Sequence, residues 1–186
     1  MMFRIFTPPH HIKAALRHLK HREDGVAAVE FALVLPVLLL ILMGVIELSN
    51  VLMVERKLLN SMQSVADLIG QSTDVTDSDL DDIFIAGQLV MNPYSTSGLS
   101  IGVASVRFDD TTGNPTLDWS DGLNGGSVAN ALTLAVGRGE AGASIVIVSG
   151  SYTYTPLSSL IIPTTTMSLT ETSYVRPRTV DYIIKN

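Results

Sequence analysis

The hydrophobic pattern of the chain changes character along its length. From Val26 to Ile46 apolar residues follow one another with one charge, Glu30, near the front. The stretch from Phe31 to Ile46, FALVLPVLLLILMGVI, holds no charge and no strongly polar side chain. At about 1.5 Å per residue a helix over Val26–Ile46 is roughly 30 Å long, the thickness of a hydrocarbon core. A buried helix of that length in a soluble protein would carry a polar stripe. A cleaved secretory signal has an apolar region of about 7–15 residues ending in a small-x-small site. This run is longer and leads into GVIELSNVLMVERK, which offers no such site. The remaining reading is a single membrane-spanning helix. Pro36 removes one backbone donor and leaves the Ala32 carbonyl without its usual partner, a change that spanning helices absorb as a kink or a loosened turn.

After the span the pattern becomes amphipathic. Leu48, Val51, Leu52, Leu58, Leu59, Met62, Val65, Ala66 and Ile69 recur at spacings of three and four, the helical period. Glu47, Asn50, Lys57, Ser61, Ser64 and Asp67 take the other face, and Gly70 is the expected stop. One helix from Val26 to near Ile69 follows, its second half packed on a small domain rather than on a partner helix. The acidic stretch STDVTDSDLDD invites a calcium loop. An EF-hand needs Gly at its sixth position and Glu at its twelfth; counting from Asp77 gives Asp82 and Gln88. A helix start fits better, with Asp77 or Ser78 as cap and the acids at the positive end of the helix dipole. Leu80, Ile83, Phe84, Gly87 and Met91 form one face, and Asn92-Pro93 ends the element.

Later segments read as strands. LSIGVASVRFD (99–109), ASIVIVSGSYTYTP (143–156) and TTMSLTETSYVRPR (165–178) are rich in β-branched and aromatic residues with partial alternation. Tyr152 and Tyr154 fall on one face, Ile145 and Ile147 on the other. DDTTGNPTLDWSDGLNGG reads as a long turn-rich loop. SVANALTLAV (127–136) suits a short helix or a strand, and its periodicity does not decide. The expected fold is α+β: a long N-terminal transmembrane and amphipathic helix, then a small antiparallel sheet head with one or two short helices.

Charge adds a direction. Residues 1–24 hold Arg4, Lys13, Arg17, Lys20 and Arg22 against Glu23 and Asp24, whereas the remainder is strongly acidic, and the whole chain carries a formal net charge of −6. A basic segment, an apolar run and an acidic body make a topology signal, not a nucleic-acid signal. The basic end is expected in the cytoplasm and the acidic body across the membrane, in the periplasm of a bacterium. There are no cysteines, which excludes disulfides and thiolate metal sites. His10, His11, His18 and His21 all precede the span and read as a solvated tail. No Ser-His-Asp set is available past residue 21, and no P-loop, GxGxxG or zinc motif appears. The chain is expected to be no enzyme and to hold no cofactor or metal.

Glu30 remains. A carboxylate at the centre of a spanning helix costs about 2.5–3.5 kcal/mol, and less near the interface. Glu30 either marks the cytoplasmic rim or has a partner in the membrane. A protease cutting after Gly25 would remove the basic segment and create the amine of Val26. Glu30 would then be the fifth residue and Phe31 the sixth. Such an amine and a carboxylate on a neighbouring subunit could pair and set helix register.

A glycine, a small apolar tetrapeptide, then glutamate, an aromatic residue and a long apolar helix make the pattern of type IV prepilin-like substrates. GVAAVEFALVLPVLLLILMGVIEL resembles more narrowly the TadE-like family, pseudopilins of the tight-adherence (Flp) pilus system, with Gly44-Val-Ile-Glu47 closing the span. The close resemblance covers about residues 22–50, and the later strands resemble the family loosely. It implies cleavage between Gly25 and Val26 by a membrane prepilin peptidase, and a role for Glu30 and Phe31 in processing or assembly. Glu23 and Asp24 depart from the basic residues that many prepilins carry before the glycine.

The resulting expectation is a basic cytoplasmic leader over 1–25 and a transmembrane helix over 26–47. An amphipathic extension over 48–70 and a periplasmic α+β head over 71–186 follow. Expected partners are the prepilin peptidase, other pseudopilins and pilus-assembly membrane proteins; the expected site is the bacterial inner membrane or the pilus itself. The rivals are an uncleaved single-pass anchor carrying a periplasmic binding domain, and an anchored envelope enzyme.

Overall fold

The computed structural model describes residues 23–156 and 166–186. The basic and histidine-bearing stretch 1–22 of the expected leader lies outside them. The first element, α1, is one helix over Glu23–Gln71 that continues through Pro36. The chain divides into two compact units, Met1–Val45 and Ile46–Asn186, with the division inside α1. In the first unit the apolar side chains from Val26 to Met43 stand exposed. The most apolar stretch of α1 has a mean hydropathy of 2.8 and no buried residue. By length and composition it can serve as a single-pass membrane anchor.

The second unit is α+β. After β1 (Asp74–Val75) comes α2 (Asp77–Val90). Then follow β2 (Leu99–Phe108), β3 (Pro115–Leu123), the short α3 (Ala131–Ala135), β4 (Ser144–Tyr154), β5 (Met167–Val175) and β6 (Ile184–Lys185). The main sheet is antiparallel with strand order β3-β2-β4-β5. The second half of α1 and α2 cover one face. Leu58, Met62, Val65 and Ile69 of α1 meet Leu80 and Phe84 of α2, Ile101 and Val103 of β2, and Val146, Val148 and Tyr152 of β4. On the opposite face Val106, Phe108, Ile145 and Ile147 form a smaller core with Ala135 of α3. The alternation expected along β4 is therefore realised, with Tyr152 and Tyr154 in the first core and Ile145 and Ile147 in the second. The C-terminal end is tied back: β6 pairs in parallel with β1, and the Trp119 indole donates to the Ile183 carbonyl at 2.8 Å.

Several details differ from the pattern expected of the sequence. The turn-rich stretch 109–126 contains β3, hairpinned to β2. Its turn is set by the Asp109 carboxylate, which accepts from the backbone N–H groups of Thr111 and Thr112. β3 lies at a sheet edge and is mostly exposed, so it needs few apolar residues and reads as a loop. Residues 127–136 resolve to the helix α3. The cap of α2 is Thr76, not Asp77 or Ser78: its hydroxyl accepts from Asp79 N while the Asp79 side chain accepts from Thr76 N. That reciprocal pair satisfies two orphan helix donors together. Gly70 does not stop α1, which runs on to Gln71. It permits a close approach instead, since a Cβ there would lie 2.7 Å from a Val175 methyl.

The face of α1 also shifts. Leu48 and Leu52 are exposed, while Glu47 and Ser61, expected on the polar side, are buried. Ser61 is accommodated because its hydroxyl donates to the Gly87 carbonyl at 2.7 Å. Gly87 lets α2 come that near: a Cβ there would meet a Val65 methyl at 2.6 Å. A hydroxyl that bonds a neighbouring backbone is tolerated in a core; a pattern scored by polarity alone puts it outside.

Candidate functional site

The four residues expected to matter for processing and assembly lie together at the start of α1. Gly25 is already helical, and a Cβ built on it meets nothing within 4 Å. Glycine is about 1 kcal/mol less favourable than alanine inside a helix, so Gly25 weakens the first turn of α1. Val26 is 61% and Phe31 59% exposed. Val26 and Glu30 are four residues apart, one turn along the same helix face. Glu30 is exposed. All four are exposed.

A second carboxylate stands at the other end of the apolar stretch. Glu47 is 2% exposed, and the Tyr154 hydroxyl donates to its Oε1 at 2.7 Å. Helix α1 supplies the acid and the end of β4 supplies the phenol. Burial of a carboxylate is strongly unfavourable unless donors surround it. The effect on the partner is large: burial first, and then the Glu47 acceptor, push the Tyr154 hydroxyl up to about 12. Both residues were visible in the sequence, Glu47 at the end of the span and Tyr154 in a YTYTP alternation. Nothing in either local pattern joined them, because they are 107 positions apart.

Acidic groups elsewhere serve the fold. Lys185 of β6 bridges Asp121 and Asp77, and the hydrogen bond from Lys185 holds the Asp121 carboxyl below its ordinary range. The Asp79 carboxyl is lowered by its hydrogen bonds with the Thr76 side chain and backbone. Among the described residues no group of three or more His, Asp or Glu side chains is placed to hold a metal ion.

Comparison with known proteins bears on the first part of the chain. No curated protein and no solved structure matches the chain. The family model of TadE-like protein matches residues 25–67. The match opens at Gly25, takes in Glu30, the exposed apolar stretch and Glu47, and extends beyond the residues that carried the resemblance, into the core-facing half of α1. Over residues 25–67 the chain is similar to TadE-like proteins.

Proposed function

We propose that the protein is a pseudopilin that takes part in assembling a Flp/Tad pilus. The observation that carries this reading is the TadE-like match over residues 25–67, which starts at the expected cleavage residue. The exposed apolar stretch supports membrane anchoring, and the basic residues before it favour a cytoplasmic N-terminal side. The α+β unit then lies in the periplasm. A prepilin peptidase cuts between Gly25 and Val26. The freed Val26 amine and the Glu30 carboxylate are one turn apart, and the pair guides packing against neighbouring pilin-like helices. The protein's work is that of a structural subunit, priming, capping or steering the filament.

The test is the mass of the mature N-terminal peptide from membranes of cells with and without the prepilin peptidase. The expected result is a chain starting at Val26 in the first and retaining the leader in the second. A chain that keeps residues before Gly25 in peptidase-positive cells favours an uncleaved anchor with a periplasmic interaction domain.

A further inference from the structure

The sheet order β3-β2-β4-β5 leaves two edge strands. An edge strand presents a row of unpaired N–H and C=O groups, and proteins blunt such rows with proline, bulges, charges or a covering segment. β3 has all four devices. It opens on Pro115, its register with β2 shifts between Ser105 and Val106, and it carries Asp118 and Asp121. The C-terminal segment is tied to it, with the Trp119 indole on the Ile183 carbonyl and Lys185 on Asp121.

β5 has almost none of them. Its nine residues, MSLTETSYV, include no proline, glycine or basic residue. Its register with β4 runs unbroken from Val146↔Val175 to Tyr154↔Met167. Among the described residues no backbone hydrogen bond reaches β5 from a segment other than β4. One charge interrupts the strand. It is Glu171, at the midpoint, which joins none of the ion pairs among the described residues. Glu171 alternates with Leu169 and Val175, which pack against the larger core, so the three share a face of the sheet. Ser168, Thr170 and Thr172 fall on the other.

A row of alternating donors and acceptors is met by another extended backbone, as in β-strand addition. Charge then selects the strand. A second copy's β5, paired antiparallel about its midpoint, sets Glu171 opposite Glu171, and like charges directly opposite are destabilising. A second copy's β3 offers Asp118 and Asp121 and no cation. The edge therefore disfavours both edges of its own kind. We propose that β5 is a docking edge for an extended segment of a different protein, one that carries lysine or arginine opposite Glu171. Apolar residues of that segment continue the face of Leu169 and Val175, and hydroxyl residues continue the face of Thr170 and Thr172. The inference rests on the α+β unit alone and is independent of cleavage after Gly25.

The experiment uses the full chain in neutral detergent micelles and a synthetic peptide of nine residues, the length of β5. The peptide alternates valine and threonine, with lysine at its centre. Amide hydrogen exchange of residues 167–175, read by NMR, is expected to slow saturably as the peptide is added, with no change in α2. A peptide with glutamate at its centre is expected to bind about fivefold more weakly. N-methylation of alternate amides of the lysine peptide removes backbone donors and abolishes binding. Glu171→Lys is expected to reverse the preference between the lysine and glutamate peptides, which a loss of folding cannot imitate; unchanged exchange in β2 confirms that the variant stays folded. No protection of β5 by the lysine peptide overturns the proposal, as does equal affinity for the glutamate or the methylated peptide. Protection of β5 that rises with the concentration of the chain alone makes a second copy the occupant and overturns it too.

Discussion

The two halves of α1 are one helix read by two environments. From Val26 to Met43 its apolar side chains are exposed. From Val54 to Ile69 the apolar residues at positions 54, 58, 62, 65, 66 and 69 are buried against α2 and the sheet. Helix propensity does not separate the halves, since Leu, Val and Met dominate both. What separates them is the presence of a facing surface. The second half tolerates polar atoms where that surface supplies a partner, as with Ser61 on Gly87 O and Glu47 on Tyr154. The first half holds almost no polar side chains. Its length and composition suit lipid or the apolar flank of another helix, the surfaces that exposed apolar patches of this extent mark.

The comparison can be broken most forcefully by truncation. Met62→Ala removes a fully buried side chain and is expected to destabilise the α+β unit by about 2–5 kcal/mol. Leu39→Ala, in the exposed half, is expected to leave that unit's stability within about 0.5 kcal/mol. Chemical denaturation in detergent, followed by Trp119 fluorescence, checks both. Equal losses would mean that the halves share one environment.

A smaller effect probes the polar contacts that mark the second half. Tyr154→Phe deprives buried Glu47 of a donor and is expected to cost about 1.5–3 kcal/mol at neutral pH. It also has a pH signature. The folded Tyr154 hydroxyl sits at about 12, above its ordinary value of 10.0. Its contribution is complete below the ordinary value and is lost as pH rises through about 12. The gap between wild type and Tyr154→Phe should therefore be flat through neutral pH and narrow in strong alkali, as measured by urea unfolding at stepped pH. A gap that widens with pH would contradict the assignment.

Gly87→Ala sharpens the same point sterically. The added methyl would lie 2.6 Å from a Val65 methyl, and the misfit is expected to cost about 1–3 kcal/mol. Gly25→Ala, where space is open, should slightly stabilise the helix while slowing cleavage. Thermal unfolding and a processing time course separate these two outcomes. The smallest change is Thr76→Ala. Loss of the α2 cap is expected to cost about 1 kcal/mol, with no effect on processing, and a melting-temperature comparison detects it.

Much of this architecture was legible in the residues. The uninterrupted apolar run marks the first half of α1, and β-branched content marks β2, β4 and β5. β3 was hidden because an edge strand exposed to water has no need of alternation, and Asp, Gly and Asn make its sequence look like turns. Glu47 and Ser61 were assigned to the wrong face for one shared reason. A polar side chain reveals burial only through its partner, and those partners, Tyr154 and Gly87, come from distant segments. The residues proposed for processing stand out because their pattern is local: a glycine, a carboxylate five positions on, and an aromatic residue, at the start of the helix they open.

The change of environment along α1 can be read residue by residue. The chain contains no cysteine, so single cysteines introduced along the helix report accessibility without background. In membranes of the producing cell, a cysteine at position 39 is expected to resist a membrane-impermeant maleimide until detergent is added. One at the exposed position 60 is expected to react at once from the periplasmic side. If position 39 labels as readily as position 60 in intact membranes, α1 does not cross a bilayer and the account fails.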